Sequence, residues 1–163
     1  MSNVVGVLGA GQMGNGIAHI FAQHEYAVRL YDVIPAQIEK ALKTIEKNLG
    51  RQAEKGQIPA DSVPAILGRI TVVKKLSELA DCDLIVEAAT ENETVKLELF
   101  RELDVFVNKD AILASNTSSI SITKIAAVTA RPDKVIGMHF MNPVPVMQLV
   151  EVIRGLATSE ETF

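Results

Sequence analysis

Two periodicities alternate along the chain. Short β-branched or aliphatic runs lie at Val4–Leu8, Ala27–Tyr31, Ile70–Val73, Leu84–Glu87, Ile112–Ala114, Val135–His139 and Leu149–Ile153, each the length of a strand buried in a sheet. Between the first two, Met13, Ile17, Ile20 and Phe21 recur at helical spacing and give one apolar face. Strand and helix patterns in alternation predict an α/β fold, a doubly wound and mainly parallel sheet of Rossmann type. The longest interval between strands runs from Pro35 to Gly68, where Ile38, Leu42, Ile45 and Leu49 form an apolar stripe ahead of Gly56 and Pro59. That pattern predicts a helical hairpin inserted after the second strand. Near the end, Thr158-Ser159-Glu160-Glu161 has the form of a capping box that opens a helix.

Composition narrows the function classes. With 163 residues the chain has the size of one domain, and 48% of its residues are apolar, the globular average. The net charge of −4 supplies no electrostatic footprint for nucleic acid. Met1-Ser2-Asn3 leads straight into the first strand, without the basic and apolar regions of a signal peptide, and no segment approaches the roughly 20 apolar residues of a membrane span. The one cysteine, Cys82, sits between Asp81 and Asp83, which gives neither a disulfide framework nor a cysteine-rich metal site. These features predict a cytoplasmic protein without a metal centre.

The first strand ends in Gly9-Ala10-Gly11-Gln12-Met13-Gly14, followed by an amphipathic helix. A lone GxGxxG is weak, but one between strand and helix is a dinucleotide-binding fingerprint. Gly9 permits the tight turn, Gly11 lets backbone approach a pyrophosphate, and Gly14 allows close helix–strand packing. The helix N-terminus then offers N–H groups and partial positive charge to the phosphates. Asp32, at the end of the second strand, stands where a carboxylate accepts the adenine-ribose hydroxyls and repels the extra phosphate of NADP. NAD is the expected cofactor. Arg29 lies close in sequence, and Asp32 would serve equally as a turn or cap residue before Pro35.

Ligands of open α/β sheets sit beyond the carboxyl ends of the strands. Polar residues at those ends are Glu91, the segment Ser115-Asn116-Thr117-Ser118-Ser119, His139, and Glu151 within Leu149–Ile153. Of three histidines, His19 and His24 belong to the first helix, leaving His139 as the candidate base for an alcohol proton. Alternation places Glu151 on the face of Leu149 and Ile153, where a carboxylate is costly unless paired, and an imidazole on the neighbouring strand would pair it. A hydrogen-bonded structural histidine and a solvated edge-strand glutamate fit the same residues. Lys40, Lys43, Lys47, Arg51 and Lys55 form a basic stripe on the helical insertion, suited to phosphates or to solvent.

The Gly9–Gly14 turn, Ala114-Ser115-Asn116-Thr117-Ser118-Ser119, and Gly137-Met138-His139-Phe140-Met141-Asn142-Pro143-Val144-Pro145 leading to Leu149-Val150-Glu151 together resemble the L-3-hydroxyacyl-CoA dehydrogenases. The resemblance covers the whole chain and includes the bacterial 3-hydroxybutyryl-CoA enzymes. It implies that His139 is the general base, Glu151 its charge partner, and Ser118 a donor to the substrate's reacting oxygen. It also implies that Glu91, Lys96, Asn116 and Asn142 surround the nicotinamide end of NAD and that Asn48 and Lys55 contact an acyl-CoA substrate. Enzymes of this kind carry a further helical domain that closes the cleft and forms a homodimer. The expectation is therefore that this chain is the NAD-binding part, able to hold cofactor with little turnover. Oxidation of a free 3-hydroxy acid, or a non-catalytic NAD-binding role, are the competing expectations.

Overall fold

The computed structural model describes residues 4–163. The expected absence of a signal peptide at Met1–Asn3 falls outside those residues. Seven strands form one sheet in the order β3-β2-β1-β4-β5-β6-β7. They are β1 (Val4–Leu8), β2 (Ala27–Tyr31), β3 (Ile70–Val72), β4 (Leu84–Glu87), β5 (Ile112–Ser115), β6 (Val135–Phe140) and β7 (Val150–Arg154). The first six run parallel and β7 is antiparallel to β6. The order reverses between β1 and β4, which opens a crevice at their carboxyl ends.

Helices cover both faces, so the central strands are apolar on both sides rather than alternating with polar residues. On one face Val7, Leu30, Val86, Ala114 and Ile136 pack with α1 (Gln12–Gln23), α2 (Pro35–Glu54) and α3 (Val63–Gly68). On the other, Ile85, Leu113 and Val135 pack with α4 (Glu93–Phe106) and α5 (Ile122–Ala126) through Phe100, Leu103 and Ile125. The insertion is the predicted hairpin with unequal arms: α2 has 20 residues and α3 has 6. Pro35 at the first turn of α2 supplies a preset φ where no intrahelical N–H partner exists.

Two local expectations are corrected. Leu149 lies outside β7 and is exposed, as is Ile153, so Glu151 does not stand on a buried face. The edge position of β7 explains this, because nothing among the described residues covers its outer side. At the chain end Ser159, not Thr158, caps the final turn: its hydroxyl accepts from the Thr162 N–H at 3.2 Å. Thr158 is instead buried, donating to the Val135 carbonyl at 2.7 Å and accepting from the Gly155 N–H at 2.8 Å. A hydroxyl two strands deep in backbone groups has better partners than a terminal turn can offer.

Candidate active site and cofactor cleft

The glycine turn is built around backbone constraints that the sequence pattern encodes. Gly9 has φ 93°, a left-handed conformation strained for other residues, while its N–H donates to the Tyr31 carbonyl at 2.8 Å. A Cβ on Gly14 would collide with the Gly9 carbonyl, whereas one on Gly11 would meet nothing within 4 Å. Close packing therefore requires glycine at position 14. At position 11 the space beyond the backbone is open, which is what a pyrophosphate approaching the α1 N-terminus needs. The first turn of α1 carries no acidic side chain, and these features fit NAD.

Asp32 serves two backbone groups. Its Oδ2 accepts from the Ala10 N–H at 2.7 Å and its Oδ1 from the Ile34 N–H at 2.8 Å. The turn role is thus realised: one carboxylate braces the glycine turn and stays half-buried at the strand end. Arg29, in contrast, is committed elsewhere, its guanidinium paired with the Asp81 carboxylate and donating to the Glu78 carbonyl.

Beyond the crevice, β4 and β5 end in a polar cluster whose register puts Glu87 opposite Ser115. Glu87 is fully buried, and its Oε2 pairs with the Lys96 ammonium and accepts from the Ser115 hydroxyl at 2.8 Å. Its Oε1 accepts from the Ala89 N–H at 2.8 Å. Lys96 is only 1% exposed and also donates to Ser115 at 3.2 Å. Its ammonium thus lies beneath the strand ends, among protein partners. Glu91 is exposed just before α4, where its carboxylate accepts from Thr117 at 3.0 Å and Ser119 at 3.4 Å. The N-cap of α4 is the next residue, Asn92, which accepts from the Val95 N–H at 3.1 Å. Asn116 Oδ1 accepts from the Phe140 N–H at 2.9 Å, tying the loop after β5 to the end of β6. Between these anchored neighbours Ser118 is exposed.

His139 and Glu151 stand directly opposite on β6 and β7. Their Nδ1–Oε2 distance is 2.7 Å, with the imidazole 23% and the carboxylate 52% exposed. With Nδ1 carrying the proton toward Glu151, Nε2 is left as the acceptor. The loop joining the two strands carries exposed Asn142 and then lines a groove of about 940 Å³. Asn48, Arg51 and Lys55 of the α2 end form the opposite wall. The basic stripe divides here: Lys40, Lys43 and Lys47 lie on a separate outer patch of α2. His24, at the end of α1, also lines the groove.

Residues 4–163 match the family described as 3-hydroxyacyl-CoA dehydrogenase, NAD binding domain. The chain belongs to that family. A probable 3-hydroxybutyryl-CoA dehydrogenase of Bacillus subtilis is 55% identical over 96% of this chain and 54% of its own length. The 3-hydroxybutyryl-CoA dehydrogenase of Bradyrhizobium diazoefficiens is 52% identical over 98% of the chain and 54% of its own length. Among solved structures, the (S)-3-hydroxybutyryl-CoA dehydrogenase of Ralstonia eutropha superposes with a TM-score of 0.96 at 45% identity, covering 99% of this chain and 57% of that one. The chain thus spans about half the length of the curated relatives it matches. NAD is the cofactor of this domain. Among the described residues, no group of three or more His, Cys, Asp or Glu is arranged to hold a metal ion, and no helix is long and apolar enough to cross a membrane.

The sequence does not single out Glu87, nor Ser115 and Thr117 as the partners of Glu87 and Glu91. The signal for Glu87 was an acidic residue closing the apolar run Leu84-Ile85-Val86, with Lys96 nine positions later. A charge that ends a doubly covered strand is buried and must be paired.

Proposed function

We propose that the chain is the cofactor-binding part of a dehydrogenase that interconverts an L-3-hydroxyacyl-CoA, of short chain such as 3-hydroxybutyryl-CoA, with the 3-oxoacyl-CoA. The observation that carries this reading is the His139–Glu151 pair at 2.7 Å, set at the two roots of the loop that lines the groove. Bound NAD supplies the hydride acceptor. Gly9–Gly14 and Asp32 hold its dinucleotide, while Glu91, Asn116 and Asn142 border the nicotinamide end and Lys96 supports it from beneath the strand ends.

In the oxidative direction His139 Nε2 takes the hydroxyl proton of the substrate, and the resulting imidazolium is stabilised by the Glu151 carboxylate on Nδ1. Ser118 donates a hydrogen bond to the same reacting oxygen. Asn48 and Lys55 bind the CoA portion along the groove. The reverse reaction returns the proton from Nε2 to the carbonyl oxygen. We propose further that the active protein is a homodimer in the cytoplasm, completed by a helical domain, and that residues 1–163 alone bind NAD with little turnover.

Turnover measured on 3-hydroxybutyryl-CoA, longer thioesters and free 3-hydroxybutyrate, in the longest native form in which this domain occurs, tests the reading. A thioester preference is expected, and a preference for the free acid would overturn the substrate assignment. His139→Ala should lower kcat by about 10²–10⁴, the range of a positioned general base, with NADH affinity retained. Wild-type turnover in that variant would remove the proposed role. Rapid turnover by residues 1–163 alone would refute the need for a second domain.

A further inference from the structure

Gly16 lies two residues past the last glycine of the phosphate turn, inside α1, where glycine is a poor helix former. The cofactor cradle does not require it, since the turn is already satisfied by Gly9, Gly11 and Gly14. What requires it is the loop between β6 and β7. A Cβ on Gly16 would stand 2.7 Å from Val144 Cβ, 3.0 Å from Val144 Cγ2 and 3.5 Å from Pro145 Cδ. The first of these separations is closer than carbon atoms pack, so the loop would have to rise.

Val144 is the anchor of that loop. It is 4% exposed and belongs to the core cluster of α1 and α2, whereas Asn142, Pro143, Val146, Met147 and Gln148 around it are exposed. The loop is internally tied, with the Val146 and Met147 N–H groups both donating to the Pro143 carbonyl at 3.0 Å. A tied loop with one buried anchor moves as a unit when the anchor is displaced. One turn beyond Gly16, Ile20 continues along α1 into the groove, followed by His24. The helix that begins at the cofactor turn therefore also forms the floor of the groove, and the loop forms its wall.

We propose that Gly16 is a positioning residue for the acyl-CoA groove: its missing side chain lets Val144 seat the 141–149 loop at the height that admits the CoA portion. The inference rests on the groove assignment made above, yet it makes a separate claim about which contact sets the groove. In the folded chain, Gly16→Ala should raise the Kd for coenzyme A about tenfold, as overpacking by one methyl implies, and leave the Kd for NADH within about twofold. Adding Val144→Gly, which removes the Cβ that the new methyl would strike, to Gly16→Ala should restore most of the coenzyme A affinity. Hydrogen exchange at the Val146 and Met147 amides should quicken in the single variant and slow again in the double.

Equal weakening of NADH and coenzyme A, or failure of the second substitution to rescue, would overturn the proposal. If wild type bound no coenzyme A, the groove assignment would fail, and the exchange rates would still decide whether Gly16 seats the loop. If Gly16→Ala did not fold, Val144→Ala alone would test the same contact by leaving a void above Gly16. Quicker exchange at the two amides with unchanged NADH affinity is then expected, and unchanged exchange would overturn the seating.

Discussion

Two acid–base pairs stand at the carboxyl end of the sheet, and they differ in almost everything but chemistry. Glu87 and Lys96 are 0% and 1% exposed, joined to Ser115 and to the backbone of the loop after β4. Glu151 and His139 are 52% and 23% exposed, on an edge strand and its neighbour, with one hydrogen bond between them. The buried pair is enclosed by its hydrogen-bond partners and fixes two loops, and removing either member would strand the other in the interior. The open pair leaves an imidazole held by one carboxylate and within reach of solvent. The rigid pair lies under the loops that carry Glu91, Asn116 and Ser118, and the open pair at the two roots of the loop that lines the groove, so the proposed function divides holding the site from running it.

The sharpest way to break that contrast is to remove one partner of the buried pair. Lys96→Met leaves the Glu87 carboxylate in the interior without a cation and should cost about 3–5 kcal/mol in urea unfolding. Adding Glu87→Gln, which keeps an acceptor for the Ala89 N–H, should recover much of that loss, because a neutral buried network avoids the stranded charge. If Lys96→Met cost no more than an exposed lysine does, the pair would not be the brace described here.

The two pairs were unequally legible in the sequence. His139 and Glu151 were found because a charged residue interrupts Leu149–Ile153 and an imidazole ends the adjacent run. Their pairing has a local cause, direct opposition on antiparallel strands, and pattern reasoning handles that. The premise was still partly wrong, since β7 lies at the sheet edge and Glu151 is half open. Glu87 and Lys96 were missed as a pair because what joins them is the return of α4 across the end of β4. No periodicity within either element encodes that contact. The strands and the glycine turn were legible for the opposite reason: each depends on its own residues and on one face or two being covered. The groove fell between these cases. Asn48 and Lys55 came from the resemblance, but which basic residues of the α2 stripe face the loop depends on how α2 packs against α1.

His19 sharpens the contrast from a third direction, as a buried imidazole with no acid beside it. Its Nε2 meets the side-chain oxygens of Gln23 at 3.1 Å and Gln52 at 3.2 Å, while Nδ1 is buried without a partner. Burial holds its pKa below the ordinary 6.5, outweighing the two glutamine contacts, which act the other way. The folded chain therefore resists protonation that the unfolded chain accepts. Stability from this residue should be complete above pH 6.5 and decline as pH falls from there through the lowered folded value, by at most about 1.4 kcal/mol per pH unit. In His19→Gln that segment of the unfolding pH profile should flatten. An unchanged slope would mean that another group carries it.

The smallest effect belongs to the open pair itself. Glu151→Gln removes the charge but keeps an oxygen for His139 Nδ1, and water reaches both side chains. The change in unfolding free energy should therefore stay within about 1 kcal/mol, the range of exposed ion pairs, and NADH affinity should not move. Turnover is where the loss should appear, because an imidazolium that forms in the reaction would face a neutral amide in place of a carboxylate. This separation is what distinguishes the two pairs: Lys96→Met should unfold the site, and Glu151→Gln should leave it assembled but slow. A stability loss from Glu151→Gln as large as that from Lys96→Met would make both pairs structural, and the His139–Glu151 contact would lose its claim to the chemistry.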